Sequence, residues 1–297
     1  MTSPSARCTL RGMNRPHGPK LIDGLALARR VLDGVRHKVE TIRKATGVTP
    51  TLATVLVGDD PASAAYVRTK DKRCREVGIE SRRIELPRDT TTDRLAGLVN
   101  QLAADRAVHA ILIQHPIPAP IDKRAAFEAV PLHKDVDGVS SAALGRTILG
   151  MPAFPACTPA GIIRLLADYQ VPLDGVEAVV VGRSPILGRP MASMLINAHA
   201  TVTLCHSRTR DLPGVIGRAD VLIVAVGKPR YVQGGWIKPG AVVIDAGYNE
   251  GNIGDVDFDS AIERASLITP VPGGVGPMTI ATLLEHTADA AAHQLGL

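Results

Sequence analysis

Apolar positions recur at helical spacing between residues 24 and 45, at Leu25, Ala28, Val31, Leu32 and Val35. The pattern then changes to an unbroken apolar run from Leu52 to Val57, closed by Gly58, Asp59, Asp60 and Pro61. The first pattern predicts an amphipathic helix and the second a buried strand ended by a turn. Residues 63–77 and 92–105 read as helices, 84–86 as a short strand, and 109–114 as another strand that stops before Pro116 and Pro118. Thr158 followed by Pro159 predicts a hydroxyl N-cap with proline at the first helical position, leading the amphipathic stretch from Gly161 to Tyr169. Four short apolar runs follow, at 178–181, 201–205, 221–226 and 241–245, with a helix or loop between each pair. Continuous β-branched runs separated by helices predict an α/β fold with a parallel sheet covered on both faces. Residues 279–297 read as an Ala- and Leu-rich helix that packs back on the first half.

Composition narrows the class. The chain has 297 residues, 45% of them hydrophobic and 21% charged, which fits a globular protein of one or two domains. That length buries enough surface to need no disulfide or metal staple. The run from Val221 to Val226 falls far short of the ~20 residues that cross a bilayer, so no membrane span is expected. A formal charge of +5 is mild, and 3% aromatics leave few rings to stack on bases, which argues against a nucleic-acid partner. Cys8, Cys74, Cys157 and Cys205 form no CxxC pair and no histidine falls in an HExxH spacing. We therefore expect a reducing, cytoplasmic setting and no metal site. Residues 1–20 carry Arg7, Arg11, Arg15 and Lys20 without an acid or an apolar stretch, so they read as a disordered extension rather than a secretory signal. An organelle presequence, or a start at Met13, are the other readings.

Chemistry enters at the first strand of the second half. The segment from Val179 through Gly182, Arg183, Ser184 and Gly188 to Pro190 has the order strand, glycine turn, helix start. That order aims backbone N–H groups at a diphosphate, although an ordinary strand-to-helix turn has it too. A fold that selects NAD usually sets an acid about 20 residues past the first glycine. Here the place is taken by Cys205, His206, Ser207, Arg208 and Thr209. Ser207 and Arg208, with Arg183, suit a 2′-phosphate, because guanidinium forks match phosphate oxygens; the bland alternative is a solvated basic loop. NADP is the preferred cofactor on this reading.

The first half offers a second set of groups. Tyr66 and Lys70 are four apart on a predicted helix and share a side. A ring beside a lysine can hold a flat heterocycle, and a partly desolvated amine exchanges protons nearer neutrality. A surface tyrosine beside a solvated lysine is the competing reading. Gln114 ends an apolar strand, where a side chain emerges into a cleft. Lys134-Asp135-Val136-Asp137-Gly138 reads either as an extended segment with two acids on one side, able to accept hydrogen bonds from a heterocycle, or as a turn. Pro270, Pro272, Gly273, Gly274, Gly276 and Pro277 make a rigid loop up to Thr279, stripped of Cβ atoms where a ligand approaches.

Taken together and in this order, these segments, with Ile22-Asp23-Gly24 and Cys157-Thr158-Pro159, resemble the bifunctional methylenetetrahydrofolate dehydrogenase/methenyltetrahydrofolate cyclohydrolase family (FolD) over about residues 21–295. The resemblance implies two α/β lobes with the active-site cleft between them. One is a catalytic, folate-binding lobe of residues 21–157 completed by the helix 279–297. The other is a Rossmann-like NADP lobe of residues 158–278. It also implies a homodimer joined through the nucleotide lobes. It implies Lys70 as the central catalytic group, Gln114 as its assistant, Tyr66 stacking on the substrate and Asp137 binding the pterin ring. Asp135, Pro272, Gly273 and Gly274 are implied as further substrate contacts, and Gly182, Arg183, Ser184, Gly188, Ser207 and Arg208 as cofactor contacts. The implied reactions are oxidation of 5,10-methylenetetrahydrofolate with NADP⁺ and hydrolysis of the product to 10-formyltetrahydrofolate. Two positions depart from the family pattern. His115 stands where leucine is usual, and Ala143 where asparagine is common. The lost amide is expected to weaken the cyclohydrolase, shift substrate affinity, or be compensated by Ser140 or Ser141. A dehydrogenase with weak or no cyclohydrolase activity, and a non-catalytic NADP-binding regulator, are the alternative functions.

Overall fold

The computed structural model describes residues 20–297, so the expected disordered extension, up to residue 19, lies outside the described residues. Lys20, counted with that extension, is in a strand. That strand, β1 (Lys20–Leu21), is followed by α1 (Gly24–Thr46), β2 (Thr51–Val57), α2 (Pro61–Val77) and β3 (Glu80–Leu86). Next come α3 (Thr92–Ala104), β4 (Ala110–Ile113), α4 (Lys123–Glu128) and α5 (Ser141–Ile148). The second half runs α6 (Cys157–Asp168), β5 (Glu177–Val181), α7 (Gly188–Asn197), β6 (Thr201–Cys205), α8 (Leu212–Ile216) and β7 (Val221–Val224). It ends with β8 (Val242–Asp245), α9 (Phe258–Ala261), β9 (Leu267–Ile268) and α10 (Val275–Gln294).

Two parallel sheets result. One has the order β3-β2-β4 and the other β1-β9-β8-β7-β5-β6. The alternation of side chains along each strand serves two cores. Ala178 and Val180 of β5 face a central core shared with Leu52 of β2, Leu112 of β4 and residues of α1, α6 and α10, whereas Val179 and Val181 face a second core with Ile216 and Val243. Ala53, Val55 and Val57 of β2 turn to a third core with Leu95 and Val99 of α3. The helices α1, α6 and α10 thus lie between the sheets, with α10 packed along both of the others.

Local chemistry sets the boundaries. The Asp23 carboxylate accepts from Ala26 N at 2.9 Å and starts α1, and Gly47 at φ 71° ends it by donating to Arg43 O. Several expectations need correction. Leu21, counted at the start of the first unit, and Lys20, counted with the extension, pair with Ile268 and Leu267 at the edge of the six-stranded sheet. β3 extends back to Glu80, because parallel pairing with all of β2 holds its polar half in place, which the apolar run 84–86 did not reveal. Thr158 is not the N-cap of α6. The helix starts at Cys157 after Ala156, and the Thr158 hydroxyl sits 3.0 Å from that of Thr279. Pro159 therefore occupies the third helical position, where its missing N–H still costs nothing, since the first four N–H groups of a helix have no partner within it. β7 ends at Val224, short of the predicted Val226. The last helix begins at Val275, inside the glycine-proline segment, and ends at Gln294.

Candidate active site

Lys70 is 5% exposed, which rules out the solvated-lysine reading. The burial of Val67, Lys70 and Cys74 shows which face of α2 turns inward, and β4 brings Gln114 to meet it. Lys70 Nζ donates to Gln114 Oε1 at 2.9 Å and lies 4.6 Å from the centroid of the Tyr66 ring. Gln114 is itself held, its N donating to Val55 O at 2.8 Å and its Nε2 to His115 O at 2.6 Å. Its carbonyl oxygen is thereby aimed at the amine, with the amide orientation set by those partners.

Burial lowers the Lys70 pKa below the usual lysine range, and the charge of Asp137 pulls it part of the way back. The same burial raises the Asp137 carboxyl to about 6, opposed by Lys70 and reinforced by Asp135. Tyr66 is half-buried, and desolvation with the nearby Asp137 charge pushes its phenol up, so it stays neutral. The structure therefore brings Tyr66, Lys70, Gln114 and Asp137 together, by the Lys70–Gln114 hydrogen bond, the Lys70–Tyr66 ring contact and the charge of Asp137 on Lys70 and Tyr66.

Asp135 does not belong to that group as a ligand contact. The segment 134–138 is a pair of turns, with Lys134 N bonded to Pro131 O, Gly138 N to Asp135 O, and Gly138 at φ 63°. The Asp135 carboxylate is fully buried and accepts from Val139 N at 3.1 Å and Ser140 N at 2.9 Å, so it holds the turn rather than a heterocycle. Lys134 Nζ is spent on the carbonyls of Leu102, Ala103 and Asp105 at the end of α3.

Sequence reasoning gave Cys157 no role, yet its thiol donates to Val136 O at 3.1 Å and interacts electrostatically with the Asp137 carboxylate, which helps hold that carboxyl's pKa down. His286 of α10 also reaches Val136 O, at 2.9 Å from Nδ1, which makes Nδ1 the protonated nitrogen. A lone cysteine and a distant histidine give no spacing signal, so only the fold reveals the contact. The serines proposed to compensate for Ala143 are committed elsewhere. Ser140 Oγ accepts from Ala143 N as the cap of α5, and Ser141 bonds Glu128 through both N and Oγ. Ala143 is fully buried within α5.

The loop before α10 is locked to the start of α1. Leu25 N donates to Gly273 O at 3.0 Å, and a Cβ on Gly24 would fall 1.8 Å from Gly274 O. Pro272 is exposed, Gly273 half-buried and Gly274 buried.

At the carboxyl ends of β5 and β6, Gly182 N donates to Cys205 O at 2.9 Å, so the turn carrying Arg183 and the segment carrying Ser207 and Arg208 leave the sheet from adjacent strand ends. All three side chains are exposed, and the two arginines form no ion pair among the described residues. Ser184 Oγ accepts from Leu187 N and Gly188 N, capping α7 and leaving its hydroxyl proton as a donor. Gly182, at φ 127°, would place a Cβ 2.1 Å from Ala225 O, and Gly188 would place one 1.9 Å from Gly182 O. Turn, helix and neighbouring strand end are in backbone contact, which is what a close approach to a diphosphate requires. Tyr248, beyond β8 at the same end of the sheet, is 70% exposed and was not singled out from the sequence. Among the described residues no helix is long and apolar enough to cross a membrane, and no group of three or more His, Cys, Asp or Glu is placed to hold a metal ion.

Comparison with known proteins agrees with this geometry. Residues 22–137 match the model of the tetrahydrofolate dehydrogenase/cyclohydrolase catalytic domain, and residues 156–295 that of the family's NAD(P)-binding domain. The chain is 56% identical over 285 residues to the bifunctional protein FolD 1 of Streptomyces avermitilis, covering 96% of this chain and 99% of the relative. It superposes with a TM-score of 0.90 on the crystal structure of the bifunctional enzyme FolD from Campylobacter jejuni, at 44% identity and covering 92% of this chain and 99% of that one. The FolD of Trypanosoma brucei, solved with NADP cofactor and inhibitor, gives a TM-score of 0.91 at 34% identity, covering 95% and 100%. By these matches along both halves, the chain belongs to the tetrahydrofolate dehydrogenase/cyclohydrolase family.

Proposed function

We propose that this chain oxidises 5,10-methylenetetrahydrofolate to the 5,10-methenyl cation with NADP⁺ and then hydrolyses that cation to 10-formyltetrahydrofolate. The observation that carries the reading is the buried Lys70 amine, 2.9 Å from Gln114 Oε1 and over the Tyr66 ring. When bound, NADP⁺ supplies the hydride acceptor for the first reaction. The residues present fit it. The Gly182 and Gly188 contacts leave no Cβ between the turn and a diphosphate, and Arg183, Ser207 and Arg208 offer exposed donors where a 2′-phosphate would lie.

The protein's contribution to the first step is alignment. The Tyr66 ring flanks the pterin, and Asp137 accepts hydrogen bonds from its amino and ring N–H groups. In the second step water adds to the methenyl carbon and the carbon–N5 bond breaks, leaving the formyl group on N10. The attacking water loses a proton to neutral Lys70, N5 takes one proton as it leaves, and one is released to solvent. Gln114 Oε1 holds the amine towards the carbon, and the lowered Lys70 pKa raises the uncharged fraction of the amine. Both steps occur at one carbon, so one set of groups serves both.

The packing of α10 along α1, with its contacts to α2, β2 and β4, supports grouping residues 279–297 with the catalytic lobe 21–157 and taking 158–278 as the nucleotide lobe, although α10 also packs along α6 and the family's nucleotide-domain model itself runs through α10. The buried free thiols of Cys74, Cys157 and Cys205 support a reducing compartment, the cytoplasm. A homodimer through the nucleotide lobes is part of the same reading.

The test is a coupled assay on one preparation, with methylenetetrahydrofolate and NADP⁺ for the first step and methenyltetrahydrofolate alone for the second. Both NADPH and 10-formyltetrahydrofolate are expected. NADPH without hydrolysis would leave a dehydrogenase only, and neither product would leave a binding role. For the cofactor, Arg183→Ala is expected to lower the preference for NADP⁺ over NAD⁺, measured as the ratio of kcat/KM values, by roughly tenfold or more. An unchanged ratio would move the phosphate contact to Arg208.

A further inference from the structure

Beyond the carboxyl ends of β7 and β8, two carboxylates are spent almost wholly on backbone. Asp255 is fully buried. Its Oδ2 accepts from Val226 N at 2.6 Å and Gly227 N at 2.8 Å, and its Oδ1 from Lys228 N at 2.9 Å and Asn249 Nδ2 at 3.0 Å. Asp245 in turn accepts from Asp255 N at 3.0 Å, Val256 N at 2.9 Å and Gly247 N at 2.9 Å. Glycine is required on both sides of the pair, since a Cβ on Gly247 would fall 2.1 Å from Asp255 Cγ and one on Gly254 would fall 1.9 Å from Asp245 Oδ2.

Three successive N–H groups converging on one anion form the kind of concavity that usually receives a ligand's phosphate. Here the protein fills it with its own side chain, and the consequence is positional. The loop so held starts at Ala225, whose carbonyl lies against Gly182 in the glycine turn. Asn249, held by the same carboxylate, follows β8. In an open parallel sheet the ligand lies outside these strand ends.

We infer that Asp255 is a positioning residue of the nucleotide site, fixing the loop Val226–Lys228 and Asn249 as the walls beside the Gly182 turn without itself touching the cofactor. The inference rests on the proposed binding of NADP at this sheet edge. It sets Asp255 apart from Lys70, Gln114 and Asp137, which belong to the other lobe.

Asp255→Asn keeps the shape but turns an NH₂ towards one pair of donors, so two of the four bonds cannot form. NADP⁺ is titrated into the full chain by calorimetry without folate, and hydrolysis of methenyltetrahydrofolate is followed without NADP⁺. The expected result is a Kd for NADP⁺ raised roughly tenfold or more, with the kcat and KM of hydrolysis within about twofold of the parent. An unchanged Kd, or an equal loss of hydrolysis, overturns the assignment. Should Asp255→Asn fail to fold, Asn249→Ala removes one donor and leaves the carboxylate seated. It is then expected to weaken NADP⁺ binding by about two- to fivefold, and an unchanged Kd overturns the assignment equally. The unsubstituted chain is titrated first. Absence of NADP⁺ binding there refutes the nucleotide reading itself, a result distinct from either variant's.

Discussion

Lys70→Met is expected to lower the kcat of methenyltetrahydrofolate hydrolysis by about a thousandfold, while the protein melts no lower than its parent. The first half follows from losing the base that takes the water's proton, an effect that typically spans about 10² to 10⁴. The second half follows from burial. A lysine whose folded pKa is lowered binds fewer protons folded than unfolded, so its charge works against the fold. That penalty is absent above the unfolded-state pKa, grows as pH falls through the interval between the unfolded and the lowered folded pKa, and is complete below the latter. Methionine has similar length and no charge, so it escapes the penalty. Activity and stability should therefore separate, which a merely structural lysine would not allow. The substitution should also be felt at Asp137, whose pKa of about 6 is held down by the Lys70 charge. Without that charge the carboxyl titrates higher, and the acidic limb of folate binding should move to higher pH. Normal hydrolysis by the variant would remove Lys70 from the mechanism.

The repeat of apolar runs and helical stretches was enough to place most of the strands and long helices, because parallel strands buried on both faces carry their own continuous signal. Helix spacing also put Tyr66 and Lys70 on one side, and a strand ending before proline put Gln114 at the site. What stayed hidden depends on pairing or packing between distant segments. The two residues of β1 have no run of their own and are strand only because β9 accepts them. β3 is polar over its first half and is held by β2. Asp135 and Asp137 look equivalent in sequence, two residues apart in one motif, yet Gly138 turns the chain so that one caps the turn and the other faces Lys70. Asp255 was passed over for the same reason: its backbone donors lie 27 to 29 positions away, on the loop after β7, with Asn249 as a further donor.

Gly182→Ala is expected to weaken NADP⁺ binding by about a hundredfold and leave methenyltetrahydrofolate hydrolysis within about threefold of the parent. At φ 127° a residue with a side chain carries backbone strain of roughly 1–3 kcal/mol. The added methyl also falls 2.1 Å from Ala225 O, a backbone atom that cannot swing aside, and overpacking of that kind costs about 1–3 kcal/mol more. Relief requires the turn to move away from β7, and Gly188, which packs on Gly182 O, must move with it. The start of α7 and the Ser184 cap are then displaced from the diphosphate path, so strain in the fold becomes lost affinity; a hundredfold corresponds to about 2.7 kcal/mol. Lys70 and Tyr66 sit on α2 and Gln114 directly follows β4 of the three-stranded sheet, whereas this turn follows β5 of the six-stranded one, so hydrolysis, which needs no nucleotide, should survive. Calorimetric titration with NADP⁺ and the hydrolysis assay, run on one preparation, separate the two effects. Parental affinity in the variant would show that the diphosphate does not pass over Gly182, and equal loss of both activities would show that the two lobes fold as one unit too tightly coupled for their sites to be dissected this way.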